Sequence, residues 1–378
     1  MKIKLWLAAT CLFVSANASA DIHIGVSVSA TGPAASLGIP EKKTIDLLPT
    51  EIAGEKVQYI VLDDATDPSV ATKNARKLVS EYQVDVLIGS SSTPACAAIA
   101  EVAAENGVPV IAMAPVPVPA EREPWVFRSP QHVKLMADAL VGDMQAKGYK
   151  TLGFIGYSDA YGEVWLKMLQ PALTKAGIEM VTVERFNRTD TSVTGQALKL
   201  VASRPQAVIV VASGSPAALP HRTLVERGYK GQIYQTHGAA NKAFLSVGGK
   251  AVEGAILPVG PLVVADQLPD SNPSKILAMD YTAKYEKANG AGSISSFGGH
   301  AFDAYRMVAA AAPAALKQAS PGTSEFRKAL RDGIEHSQDV VGVHGVFNMS
   351  PKDHWGLDER GRELVVVRNG AFKLISDH

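Results

Sequence analysis

Cysteine is nearly absent: the 378 residues hold only two. One of them, Cys11, falls in an N-terminal stretch that reads as an export signal, with Lys2 and Lys4 first, an apolar run from Leu5 to Val14, and Ala18-Ser19-Ala20 as a small-residue cleavage site. Cleavage there starts the mature chain at Asp21 and leaves Cys96 alone. An exported chain with one cysteine has no internal disulfide to support it, so its stability must come from burial. Cys96 lies in the apolar stretch Pro94 to Val102 and is expected to be buried and inert. Cys11 is not expected to carry a lipid, because Thr10 before it is bulkier than such sites prefer and the apolar run continues past it.

Net charge is absent too. Lys plus Arg and Asp plus Glu number 37 each, which excludes an overall field for nucleic acid or an anionic membrane. Long hydrophobic runs are missing: the signal's run is about ten residues against the ~20 that span a bilayer, and no later run is longer. Enzyme signatures are missing as well. There is no GxGxxG after a strand, no GxxxxGK before Ser or Thr, no GxSxG and no HExxH, and the nine histidines form no i, i+4 pair. No catalysis, cofactor or metal is expected. Asn187-Arg188-Thr189 matches a glycosylation sequon, which the bacterial type of the signal discounts.

What is present is a regular alternation. Short β-branched runs (Ile22-Val28, Val57-Leu62, Val84-Ile88, Val108-Ala112, Thr151-Ile155, Met180-Arg185, Ala207-Val211, Gly231-Tyr234, Val252-Pro258) alternate with segments of helical period (Ser69-Tyr82, Pro94-Asn106, His132-Lys147, Tyr161-Ala176, Val193-Ser203, Pro216-Arg227). That pattern predicts an α/β fold of βαβ units around parallel sheets, and the length suits two cores. Val126 to Gln131 interrupts the alternation, which restarts at Thr151, as a crossing between two Rossmann-like lobes would. A second break at Leu257 to Leu262 precedes helices at Lys275-Lys287, Phe297-Ala319 and Ser324-Asp332, and the tail from Gly342 to Ile375 reads as terminal hairpin strands.

In open parallel sheets, ligands sit outside the carboxyl ends of strands. Gly89 runs into Ser90-Ser91-Ser92, with Thr93 placed to cap a helix and Pro94 suited to its first turn, so hydroxyls and helix N–H groups suit a carboxylate there. The same residues serve equally as a plain helix cap. Ala112-Met113-Ala114 is small enough for a flat ligand to lie close. In the second half, Asp159 is the expected cap and Tyr161 could turn its ring into the cleft; Ser213-Gly214 and His237 follow at later strand ends. A packed tyrosine and a structural histidine are the bland alternatives.

Together these segments resemble the type I periplasmic binding proteins of ABC importers, in the branched-chain amino acid subfamily. The resemblance rests on Ile24-Gly25-Val26-Ser27, Ala30 to Gly38, Leu62-Asp63-Asp64 with Asp67-Pro68, Ile88 to Thr93, Ser158 to Gly162, Glu253-Gly254 and Gly345 to Asn348. It implies two lobes joined by a three-strand hinge that closes over a ligand, and recognition of the closed form by membrane permease subunits. The N-terminal lobe would be residues 21–128 and 262–334, the C-terminal lobe 129–261 and 335–378, with the third crossing near Glu335-Val341. The resemblance also implies ligand contacts from Ser90 and Ser91, from Ala112, Met113 and Ala114, and from Tyr161, with Leu37, Gly38, Ser92, Ser213, Gly214 and His237 counted among the ligand-facing residues.

One departure decides the expected ligand. Amino acid binders of this kind place a glutamate for the ligand ammonium where this chain reads Thr236-His237-Gly238-Ala239-Ala240-Asn241. A buried ammonium without a carboxylate costs several kcal/mol. Pro216 to Pro220 and Tyr234 to Gly238 resemble the branch associated with aromatic acids. The expected protein is a monomeric periplasmic carrier of an aromatic carboxylate, of benzoate or hydroxycinnamate type. Its alternatives are a carrier of branched-chain or other aliphatic amino acids, and an extracellular ligand sensor.

Overall fold

The computed structural model describes residues 21–375, so the signal segment expected at 1–20 lies outside the described residues. Along the chain, β1 (Ile22–Val28), α1 (Ala35–Ile45), β2 (Glu51–Ile52), β3 (Glu55–Asp63), α2 (Pro68–Ser80), β4 (Val86–Gly89), α3 (Thr93–Glu105), β5 (Val110–Ala112) and β6 (Val126–Arg128) make the first sheet and its flanking helices. The strand order is β2-β3-β1-β4-β5-β6, parallel except for the short β2, with β1 central: Ile24 faces Tyr59 on one side and Val86 on the other. Burial on both faces makes the strands read as continuous apolar runs. Val86 and Ile88 of β4 enter one core while Leu87 between them enters the other.

The chain then crosses to α4 (Val133–Ala146), β7 (Thr151–Tyr157), α5 (Ala160–Ala176), β8 (Glu179–Phe186), α6 (Thr194–Ser203), β9 (Ala207–Val211), α7 (Ala218–Glu226), β10 (Gln232–Gln235), α8 (Lys242–Gly248) and β11 (Ile256–Val259). It returns for α9 (Lys275–Asn289), α10 (Ser296–Leu316), α11 (Ser324–Glu335) and the small hairpin β12 (Val340–Val341) and β13 (Val346–Phe347), and ends with β14 (Glu363–Arg368) and β15 (Ala371–Leu374). The second sheet runs β15-β14-β11-β10-β9-β7-β8, with β14 and β15 antiparallel at one edge, as the terminal hairpin expected. Its core centres on the fully buried Trp165, Phe154 and Phe244. Cys96 is fully buried, and burial pushes its thiol pKa up to about 12.

Three differences from the sequence expectation have physical causes. Val126–Phe127–Arg128 is a sixth strand before it is a crossing, held to β5 by parallel pairing. α1 forms despite Gly38 and Pro40, the latter leaving the Ser36 carbonyl without its helical donor, because Leu37 and Ile45 bury against Phe297 and the first lobe's core. The third crossing comes later than Glu335-Val341: Val340, Phe347, Met349 and Leu357 pack into the first lobe's core, and the chain rejoins the second sheet at Glu363. Asp303 of α10 fixes this segment by accepting the N–H groups of Val343 (2.7 Å) and His344 (3.1 Å).

Candidate functional site

Between the lobes, where the strands of both sheets end, lies a cavity with about 330 Å³ of space, part of it continuous with solvent. The part of it that can hold the centre of a water-sized sphere is about 20 Å³, so the lobes stand close together here. Of the residues singled out from sequence, Leu37, Ser91, Ser92, Met113, Ala114, Tyr161, Ser213 and His237 line it. The lobes touch beside it, the Ser215 N–H donating to Ser36 Oγ (3.1 Å).

The other four stand behind the wall. A side chain on Gly38 would meet the Ser29 carbonyl at 2.1 Å, so this glycine lets α1 approach the end of β1. Gly214 has φ +66°, and a Cβ there would meet Leu37 and Ser36 across the lobe contact. Ala112 is buried within β5, and the fully buried Ser90 turns its hydroxyl to Asp64 (2.5 Å).

The three serine hydroxyls therefore do different work. Ser91 Oγ is hydrogen-bonded to the buried Glu41 and accepts the Ser29 N–H (3.0 Å). Ser92, not Thr93, is the N-cap of α3. Its Oγ caps no backbone N–H and has no partner among the described residues, while Thr93 spends its hydroxyl on the Pro115 carbonyl (2.9 Å). Leaving a buried hydroxyl unpaired costs about 1–3 kcal/mol, a cost that an acceptor in the cavity would remove.

From the second lobe, Asp159 caps α5 through the Tyr161 N–H (2.9 Å), as its position suggested. The Tyr161 hydroxyl lies 2.8 Å from Thr236 Oγ1. Thr236 uses its own hydrogen on the Ala212 carbonyl (3.0 Å), so Tyr161 is the donor and presents only a lone pair elsewhere. Its ring, rather than its O–H, is what the cavity receives.

Sequence inspection missed Arg188, which was noted only as part of a sequon. Its Nε donates to Asp159 (2.6 Å) and Nη1 to Ser213 Oγ (3.1 Å), its guanidinium lies 4.1 Å from the Tyr157 ring centroid, and it lines the cavity. Its place just past the end of β8 was the available signal. Phe297 and His300, from the start of α10, also line the cavity and had no local signal.

The histidines are neutral. Burial, with a smaller contribution from His344, pushes the His237 pKa down to about 3, and its Nδ1 has no partner among the described residues. Burial likewise holds His300 well below the usual histidine range; its ring stacks on His344, with centroids 4.1 Å apart, and its Nδ1 has no partner among the described residues. Among the described residues no Asp or Glu lines the cavity, and Arg188 is the one permanently charged side chain that does.

Two α/β lobes meeting over a small cavity are the architecture of a two-lobed ligand-binding protein. A family model described as a periplasmic binding protein matches residues 21–357, and the chain belongs to that family. Membership makes it a binding protein and not an enzyme. It is 45% identical to a solved extracellular ligand-binding receptor from Rhodopseudomonas palustris, with a TM-score of 0.93 over 94% of this chain and 99% of that one. Leu/Ile/Val-binding protein homolog 3 of Brucella melitensis is 28% identical over 66% of this chain and 70% of its own. The solute-binding protein of an R. palustris ABC transporter, solved with benzoate, shares the fold at 18% identity, with a TM-score of 0.76 over 94% of this chain and 96% of that one.

Proposed function

We propose that the protein is the periplasmic substrate-binding component of an ABC importer and that its ligand is an aromatic carboxylate of benzoate or hydroxycinnamate type. In this reading residues 1–20 direct export, the lobes close about the three crossings, and permease subunits recognise the closed form. One observation carries the ligand class: the cavity combines an arginine, an unpaired Ser92 hydroxyl at a helix N-terminus and a neutral histidine with an unpartnered Nδ1, with no carboxylate among its lining residues. Arg188 and Ser92 suit a carboxylate. Leu37, Met113, Pro115, Tyr161 and Phe297 suit a ring, and His300 Nδ1 suits a hydroxyl on it.

A branched-chain or other aliphatic amino acid is the second reading, favoured by the names of the Brucella relatives. Its ammonium would bring a charge and three donors to a cavity whose acceptors are neutral. Thermal unfolding of the purified protein with 4-hydroxybenzoate, 4-coumarate, leucine and glutamate tests the choice. Ligand at a hundred times its Kd adds about 2.7 kcal/mol to stability, so aromatic acids should raise the Tm. A larger rise with leucine would reverse the assignment.

A further inference from the structure

Two carboxyl groups are buried behind the serine loop, and they are treated differently. Asp64 accepts hydrogen bonds from the hydroxyls of Ser27 (2.9 Å), Ser29 (2.7 Å) and Ser90 (2.5 Å) and from the Thr66 N–H (3.0 Å), the surroundings of a carboxylate. Glu41, carried in by α1 and equally inaccessible, has only Ser91 on Oε2, and its Oε1 has no partner among the described residues. A buried anion needs its lone pairs satisfied, whereas a carboxylic acid needs far less.

The protonation state of Glu41 decides what Ser91 offers the cavity. Ser91 Oγ has one hydrogen and two lone pairs, one of them occupied by the Ser29 N–H. If Glu41 were ionised, Ser91 would spend its hydrogen on it and face the ligand with a lone pair, which repels a carboxylate. If Glu41 carries its proton, the acid O–H donates to Ser91 Oγ and the Ser91 hydrogen is free.

We propose that Glu41 keeps its proton and donates it to Ser91, so that the Ser91 hydroxyl points at the ligand and the loop selects a carboxylate. Glu41 is then a positioning residue, set apart from the ligand by one side chain. The inference rests on the carboxylate reading of the cavity. The titratable groups facing Glu41 are Asp64 and, on α3, Cys96. On α1 itself Lys42 and Lys43 are exposed. On α10, packed along α1, the ionisable side chains are His300 in the cavity wall, Asp303 bonded to His344, Tyr305, and Arg306 bonded to the Val341 carbonyl. Burial, with Asp64 adding a smaller push, holds Glu41 well above the usual carboxyl range.

The sign of the pH dependence follows. Above the ordinary glutamate value of 4.5 the folded chain holds a proton that the unfolded chain has lost, so this group's contribution to stability falls as pH rises towards its folded pKa. Ligand affinity should likewise fall only on the alkaline side.

Infrared difference spectra of wild type and Glu41→Gln, together with titrations of both against 4-coumarate from acid to alkaline pH, test this. Wild type at pH 7 should show a carboxylic-acid carbonyl band that E41Q lacks. The E41Q amide, a donor to Ser91, should bind within about threefold of wild type and without an alkaline decline. Should E41Q not fold, Ser91→Ala should shift the same band by removing its hydrogen-bond partner. Absence of the band in wild type overturns the proposal, as does a tenfold or greater loss of affinity in folded E41Q. If wild type binds no carboxylate, the ligand reading fails, while the band still decides the state of Glu41.

Discussion

Replacing His237 by glutamate puts an acid where amino acid binders keep one, and the cost to a bound carboxylate can be worked out. His237 is buried and neutral at pH 7, so the substitution adds a charge without removing one. Two like charges about 5 Å apart at an effective dielectric of about 20 repel by roughly 3.3 kcal/mol. The new carboxyl can escape by taking a proton, which from an ordinary glutamate value costs about 3.7 kcal/mol at pH 7 and about 1.6 kcal/mol at pH 5.5. Burial raises its pKa before ligand arrives and reduces both figures. His237→Glu should therefore weaken 4-coumarate by roughly 10- to 200-fold at pH 7 and by no more than about 15-fold at pH 5.5, measured calorimetrically against wild type at each pH. Leucine, whose ammonium gains a partner, should bind more tightly. Unchanged 4-coumarate affinity at pH 7 would remove His237 from the site.

Ser92→Ala should cost a carboxylate ligand roughly 10- to 150-fold in affinity, the worth of a hydrogen bond to a charged group. The ligand-free Tm should hold or rise slightly, because the hydroxyl is unpaired; a large Tm loss would show that Ser92 is structural. Arg188→Met should weaken 4-coumarate at least tenfold, by a similar estimate, and its uncharged amide analogue much less. Equal losses would assign Arg188 to the packing of Tyr157 and Asp159. Cys96, buried and with its pKa pushed up to about 12, should resist thiol reagents at pH 8 until the chain unfolds; rapid labelling of the native protein would contradict its burial.

Legibility in the sequence followed how local each cause was. β1 and β9 occupy Ile22–Val28 and Ala207–Val211 as their β-branched runs suggest, and Asp159 caps α5 as placed. The serine loop was visible because a strand, small polar residues and a proline at a helix start stand together. The use of each hydroxyl was not visible, since it depends on Glu41 and Asp64, brought in by other elements. α1 was hidden by Gly38 and Pro40: Gly38 answers to the close approach of Ser29, and the helix is held by burial of Leu37 and Ile45 against other elements. His300 and Phe297 reach the cavity only because α10 returns to the first lobe, a tertiary fact without a local signature. Arg188 was legible in principle, standing at a strand end like the residues that were noticed, but its partners Asp159 and Ser213 lie in other loops.

Calorimetric titration of the wild-type protein at pH 7, with 4-coumarate and leucine in separate runs, addresses the ligand class most directly. A cavity with an arginine, a free serine hydroxyl and no lining carboxylate should give saturable, one-to-one binding of 4-coumarate and negligible heat with leucine. Saturable leucine binding with no response to 4-coumarate would contradict it.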